Sequence, residues 1–195
     1  MKKKIISFGS ILFIVLLVAG IILIVGYNSM VDREEEIESK RNQVFNRLTQ
    51  RDNTIGQLLG AVEGLQEHAE NIYQMVTDAR KAFSDAKAAG DTEGMIEADA
   101  MQVEAVRQLV IIIESNPNVN AAPAFMTLMD EISANENAIA VARKDYNDQV
   151  AEYNKAVRKF PTVLYASLFG FEKNKPYWKL DGENDIPQID FGTND

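Results

Sequence analysis

The sequence predicts an all-α protein: an N-terminal transmembrane helix followed by an up-and-down antiparallel four-helix bundle. Three observations carry that expectation. Residues 5–25 form one uncharged apolar run. Beyond it, apolar residues recur three and four apart over long stretches, the period of a helix with one buried face. Strand-like alternation is missing along the chain. The expected division is an anchor over residues 1–26, a helical bundle over 27–161, an aromatic amphipathic segment over 162–180 and an acidic, disordered tail over 181–195.

The apolar run, Ile5 to Val25, holds 21 residues and is broken only by Ser7, Gly9, Ser10 and Gly20. A helix needs about 20 apolar residues to cross the hydrocarbon core, so the length fits a span. No face of the run is polar, which argues against the core helix of a soluble protein. A cleaved signal peptide is the competing reading, with Val18-Ala19-Gly20 as its small-residue site. Cleavage there would leave Ile21-Ile22-Leu23-Ile24-Val25 as a greasy new terminus, so an uncleaved anchor is preferred. Lys2, Lys3 and Lys4 precede the run, whereas Arg33 follows it amid Asp32, Glu34, Glu35 and Glu36. Basic flanks stay on the cytoplasmic side, which predicts a single-pass protein of the cell membrane with the N-terminus inside and the bundle outside.

The formal net charge is −9. Three of the 20 basic residues precede the apolar run, so the rest of the chain sets 17 against 29 acidic residues, a net of −12. A surface that acidic repels phosphate backbones, and nucleic acid is excluded as a partner. There are no cysteines, which removes disulfides, thiolate chemistry and a lipoprotein anchor.

Ile37, Val44, Leu48, Ile55, Leu58, Val62, Leu65, Ile72, Val76 and Phe83 keep helical phase. Thr54 and Gln57 have capping-box spacing, and Asp52-Asn53 favours a reversal. One helix is therefore expected to end near Arg51 and a second to run from Ile55 to Ala88, with one continuous helix as the alternative. Gly90 closes that helix, and Asp91 or Thr92 caps a third that reaches Glu114. Pro117 enforces a loop, and Pro123 opens the last helix. In that helix Phe125, Leu128, Ile132, Ile139, Ala142, Tyr146, Val150, Tyr153, Val157 and Phe160 form one seam, interrupted at Asn135.

Several signatures resemble the LemA family. Tyr27-Asn28 follows the apolar run as the family's YN does. Ile55-Gly56-Gln57-Leu58-Leu59 sits where the family has I-P-N-L-V, and Val62, Gly64 and His68 fit its V-x-G-x-x-x-H. Ala79-Arg80 matches its AR, and residues 136–143 resemble its E-N-R-I-A-x-A-R. Tyr146-Asn147 and Tyr153-Asn154 repeat its doubled YN, Phe160-Pro161 its FP, and Phe169-Gly170-Phe171 its closing GF. Gly56, Gln50, Ala69 and Ala138 depart from that pattern. The resemblance implies a four-helix bundle behind a membrane anchor and implies no reaction.

Candidate sites are few. His68 is the sole histidine, and position 65 is Leu, so the paired Glu-x-x-His sets of a di-iron bundle are missing. Zinc lacks the nitrogen and sulfur ligands it needs. Gly56, Gly60 and Gly64 recur every four residues and read as a face where another helix approaches closely. Tyr146, Asn147, Tyr153 and Asn154 lie on one stripe and read as buried tyrosines beside asparagines that pair between helices. Carboxylate runs such as Glu34-Glu35-Glu36 are solvated faces or a weak cation site. No catalytic, cofactor-binding or metal-binding residue is assigned.

The function expected from these features is that of a non-enzymatic scaffold or adaptor of the cell envelope. Its partners are membrane lipid, through the N-terminal helix, and envelope proteins. A ligand- or cation-binding module and a hydrolase using carboxylates or His68 are the alternatives. Residues 162–178 either touch the membrane, with Trp178, Tyr177 and Lys173, Lys175 and Lys179 at the interface, or fold back on the bundle. One helix continuing through 52–54 would carry that segment to the far end, away from lipid.

Overall fold

A computed structural model of the chain describes residues 8–62, 70–116 and 123–179. These residues form α1 (Phe8–Val62), α2 (Glu70–Ala89), α3 (Thr92–Glu114), α4 (Pro123–Arg158) and the short α5 (Thr162–Tyr165). No strand occurs among the described residues. The fold is the expected all-α one. His68 and residues 181–195 lie outside the described residues, as do the Pro117 loop and Gly64.

Contacts group the chain into two compact units, one drawn from Met1–Arg41 and Tyr146–Pro176, the other from Asn42–Asp145 and Tyr177–Asp195. The second unit is the antiparallel four-helix bundle. Its core takes Ile55 and Leu58 from α1, Val76 and Ala79 from α2, Ala105, Leu109 and Ile113 from α3, and Phe125, Met129 and Ile132 from α4. Removing such side chains from water is the main favourable term in folding. The α2–α3 reversal works as its glycine predicts. Gly90 has φ +65, its N–H donates to the Lys87 carbonyl at 3.2 Å and that of Asp91 to Ala86 at 3.0 Å. That pair of bonds closes a helix only if the residue between them is left-handed, where a side chain is strained. Asp91 is the N-cap of α3, although its carboxylate makes no capping bond.

The first unit pairs the N-terminal part of α1 with the end of α4. Met30 and Ile37 of α1 are buried with Val150, Tyr153 and Val157 of α4. Arg33 meets Glu152 at 3.8 Å, an exposed pair of small energetic weight. Ahead of these residues the side chains from Ile11 to Val25 are exposed, and this stretch of α1 is long and apolar enough to cross a membrane.

The break expected at 52–54 is absent. α1 runs unbroken to Val62. Thr54 does not cap a helix; its hydroxyl donates back to the Gln50 carbonyl at 3.2 Å, a bond made inside a continuing helix. Asp52 is likewise held by side chains of other helices, Arg80 at 3.1 Å and Gln102 at 3.1 Å, so it initiates no turn. Gly56 stands in place of the proline that would have stopped the helix. The single helix to Ala88 is not observed either, because α2 folds back along α1: Tyr73 donates to the Leu59 carbonyl at 3.1 Å and Arg80 to Asp52 at 3.1 Å. The bundle therefore keeps four helices. Within the first unit Phe169 and Phe171 lie against Tyr27, with ring centroids 5.3 and 5.5 Å away.

Continuity at this point can be tested with Asn53→Pro. Proline inside a helix costs about 3 kcal/mol or more, whereas it is tolerated in a helix-linking turn. Urea denaturation should show a loss of at least that size; an unchanged midpoint would restore the break.

Candidate functional site

Between the apolar residues of the four-helix unit lies a layer of charge. Arg51 of α1 is completely buried, as are Asp99 and Gln102 of α3. The Arg51 guanidinium donates through Nη2 to Asp99 Oδ1 at 2.6 Å, through Nη1 to Glu136 Oε1 of α4 at 3.1 Å, and through Nε and Nη2 to Gln102 Oε1 at 3.2 and 3.0 Å. Arg143 of α4 donates to the same Asp99 Oδ1 at 2.6 Å. The other carboxylate oxygen of Asp99 accepts the indole N–H of Trp178 at 2.8 Å. Gln102 passes the network on, donating through Nε2 to Asp52, which Arg80 of α2 grips through Nε and Nη2 at 3.1 and 3.2 Å. All four helices contribute.

Three guanidiniums face three carboxylates, so the layer has no net charge. That balance is what makes it tolerable. Moving an ion from water into a protein interior costs several kcal/mol, recovered only when every charge meets a partner at good geometry. Arg51 shows both effects. Burial by itself pushes its proton affinity down, and Asp99 and Glu136 more than offset this, holding the guanidinium above its ordinary range. Each of these ionic and amide groups is engaged by another group of the same layer. The arrangement is suited to fixing helices against each other rather than to presenting a reactive group.

The layer is only half visible in the sequence. Arg80, Glu136 and Arg143 belong to motifs quoted above, yet nothing in the chain's order shows that they converge. Arg51, Asp99 and Gln102 belong to none of these motifs, although a signal exists for each. Arg51 fills the gap between Leu48 and Ile55 at helical spacing, and Glu136 does so between Ile132 and Ile139. Asp99 and Gln102 fall in phase with Met95, Ala105 and Leu109, all buried. A charged residue in the phase of an apolar stripe marks a buried ion pair or a break in the helix, and only the partners decide which.

The other sequence candidates behave as follows. A Cβ on Gly56 would sit 3.1 Å from the Arg80 guanidinium, so this glycine makes room for a side chain of the layer, whereas Gly60 has open space around it. The stripe is therefore not a uniform close-approach face. In the first unit Tyr146 donates to the Pro176 carbonyl at 3.1 Å. Asn154 clasps the backbone of Lys175, donating to its carbonyl at 3.0 Å and accepting its N–H at 2.8 Å. Tyr153 donates to Glu34 at 3.2 Å. The Tyr-Asn stripe thus holds an extended tail segment, where pairing between helices was expected. Glu34 also meets Lys175 at 3.1 Å, which accounts for one member of the carboxylate run. Burial pushes the Tyr146 phenol up to about 12, with opposing smaller effects from Arg41 and Glu38. Burial, then the charge of Glu34, raises that of Tyr153 as well. Among the described residues no cluster of His, Asp and Glu is arranged to hold a metal ion. Of the two placements open to Trp178, a membrane interface or a fold back onto the bundle, the structure has the second: the ring is buried and bonded to Asp99.

Comparison with known proteins places this arrangement in a family. A model described as the LemA family matches residues 40–191, which include every residue of the charged layer. The chain is 26% identical over 190 residues to a protein named Magnetosome protein MamQ from Magnetospirillum gryphiswaldense, covering 86% of this chain and 70% of that one. It is 25% identical over 203 residues to Magnetosome protein MamQ 2 from Paramagnetospirillum magneticum, covering 92% of this chain and 74% of the relative.

Two outcomes follow from the geometry. Asp99→Ala leaves two buried guanidiniums without their shared carboxylate, and such losses cost about 3–5 kcal/mol. Because Trp178 is the only tryptophan, its emission should also shift to the red in native buffer, and denaturation followed at that wavelength reads both effects. The second concerns alkaline pH. The Tyr146 phenol ionises at an ordinary 10.0 when unfolded and at about 12 when folded. Its stabilisation is therefore complete below pH 10 and is lost as pH rises toward 12, by about 1.4 kcal/mol per pH unit. Tyr146→Phe should flatten the fall in stability over that window, measured by urea midpoints at stepped pH.

Proposed function

The chain belongs to the LemA family, and from its long apolar helix and self-contained charged layer we propose that it is a membrane-anchored, non-enzymatic scaffold or adaptor of the bacterial cell envelope. The observation that carries this reading is the layer itself. Its polar side chains are directed at one another and bind the four helices together, whereas a catalytic site needs polar groups that converge on a substrate space. The names of the relatives give an association with the magnetosome and no reaction.

In this reading residues 1–26 are the anchor and the rest of the chain works at the membrane surface. The apolar side chains of α1 from Ile11 to Val25 are exposed to lipid, which explains a row of large apolar residues left uncovered among the described residues. Lys2, Lys3 and Lys4 hold the N-terminus in the cytoplasm and the acidic bundle lies on the outer side. Envelope proteins dock on the helix faces. Met126 and Val141 of α4 are exposed apolar positions suited to that contact.

The tests run on the intact chain in its host. It should stay with the membrane after alkaline carbonate washing, and protease added to intact spheroplasts should digest the bundle. A soluble mature chain starting near Ile21 would remove the anchor, and protection until lysis would reverse the topology. A photo-crosslinking residue in place of Met126 or Val141 should give discrete adducts with envelope proteins. Monomer alone at both positions would overturn the scaffold role.

A further inference from the structure

The turn that follows α4 has two faces. Tyr165, Ala166 and Phe171 are buried, and the turn is closed by backbone bonds from Ala166 to Thr162 at 2.9 Å and from Phe171 to Ala166 at 3.0 Å. Gly170, with φ +83, lets the chain reverse after it. On the opposite face Phe160, Leu164 and Leu168 are 79%, 68% and 83% exposed, and Val163 and Phe169 are exposed beside them. Five large apolar side chains within ten residues, turned outward on a turn held from its other face, form the kind of patch that marks a contact site.

The position of this patch identifies its occupant. Tyr165 packs so closely on α1 that a Cβ at Gly26 would overlap its hydroxyl. Phe169 stands edge-on to Tyr27 with centroids 5.3 Å apart, and Tyr165 stands edge-on to Phe169 at 5.9 Å. Gly26 and Tyr27 directly follow Val25, the last residue of the apolar run. The exposed face is therefore continuous with the segment read above as the membrane span, at the level where that helix leaves the hydrocarbon. Aromatic rings favour that boundary. Exposed Lys159 and Lys173 flank the patch in the chain and suit anionic headgroups.

We propose that Phe160, Val163, Leu164, Leu168 and Phe169 insert into the bilayer interface as a second lipid contact, beside the point where α1 emerges. The contact rests on the anchor reading and deepens it. A span alone leaves the protein free to tilt about one helix. A second insertion point, tied to Gly26 by Tyr165 and to Tyr27 by Phe169, fixes the orientation of this unit on the membrane.

The natural chain has no cysteine, so single-cysteine variants carry one environment-sensitive dye each. Full-length Leu168→Cys, Leu17→Cys and Val141→Cys chains are labelled and placed in vesicles of zwitterionic and anionic phospholipid bearing spin labels at a shallow acyl position. The dye at position 168 should be quenched several-fold more than at position 141, and Leu164→Glu in the same labelled chain should abolish most of the difference. Quenching at position 17 with none at 168 would overturn the second contact and leave the anchor standing. No quenching at either would overturn both. Quenching at 168 that ignores Leu164→Glu would belong to the dye rather than the turn and would also overturn the proposal.

Discussion

The carboxylate of Asp99 is the constraint on which the bundle depends. It receives Arg51 from α1, Arg143 from α4 and the Trp178 indole, all at 2.6–2.8 Å and all in the interior. A hydrophobic layer of the same volume would be at least as stabilising, since desolvation consumes most of what the ion pairs gain. What the charges add is register. Sliding α3 by one turn would bring Met95 opposite two guanidiniums, and an unmatched buried charge is among the costliest defects a core can contain. Leucine and isoleucine layers tolerate such slips far better, because one apolar neighbour replaces another.

That constraint also explains the helix that does not stop. Asp52-Asn53-Thr54 has the local chemistry of a turn, but Arg51 just before it and Ile55 just after it are both fully buried. Breaking the helix between them would remove one or the other from its layer. Local propensity is worth about 1 kcal/mol per residue or less, and the buried partners outweigh it. The same reasoning accounts for Gly56, where the absence of a side chain leaves room for Arg80 to reach Asp52.

In the unit that carries the apolar run the binding principle is different. The tail is extended there and has no helix to satisfy its backbone, so Tyr146 and Asn154 take over that task at Pro176 and Lys175. A tyrosine and an asparagine one or two helical turns apart form a rack on which a polar strand of chain can be laid without leaving buried amide groups unpaired. The turn after α4 reaches Tyr27 through Phe169 and Phe171. The doubled Tyr-Asn motif thus serves to position another part of the same chain.

The sequence by itself determined the all-α class, the long apolar run and the family, because these rest on local or periodic properties. An apolar run of 21 residues, a glycine that closes a Schellman turn at Gly90 and a proline that opens α4 act through neighbours within a few residues. It could also have shown that Arg51, Asp99 and Glu136 stand in the phase of apolar stripes. The tertiary structure decided what those charges mean, since Arg51 and Glu136 are 85 residues apart in the chain and meet only when four helices pack. It likewise decided that the amphipathic segment after α4 divides its large apolar residues, burying Trp178 against Asp99 while leaving Leu164 and Leu168 outside. Composition leaves both placements open to all three, and only the partner available at each position separates a core tryptophan from an exposed leucine.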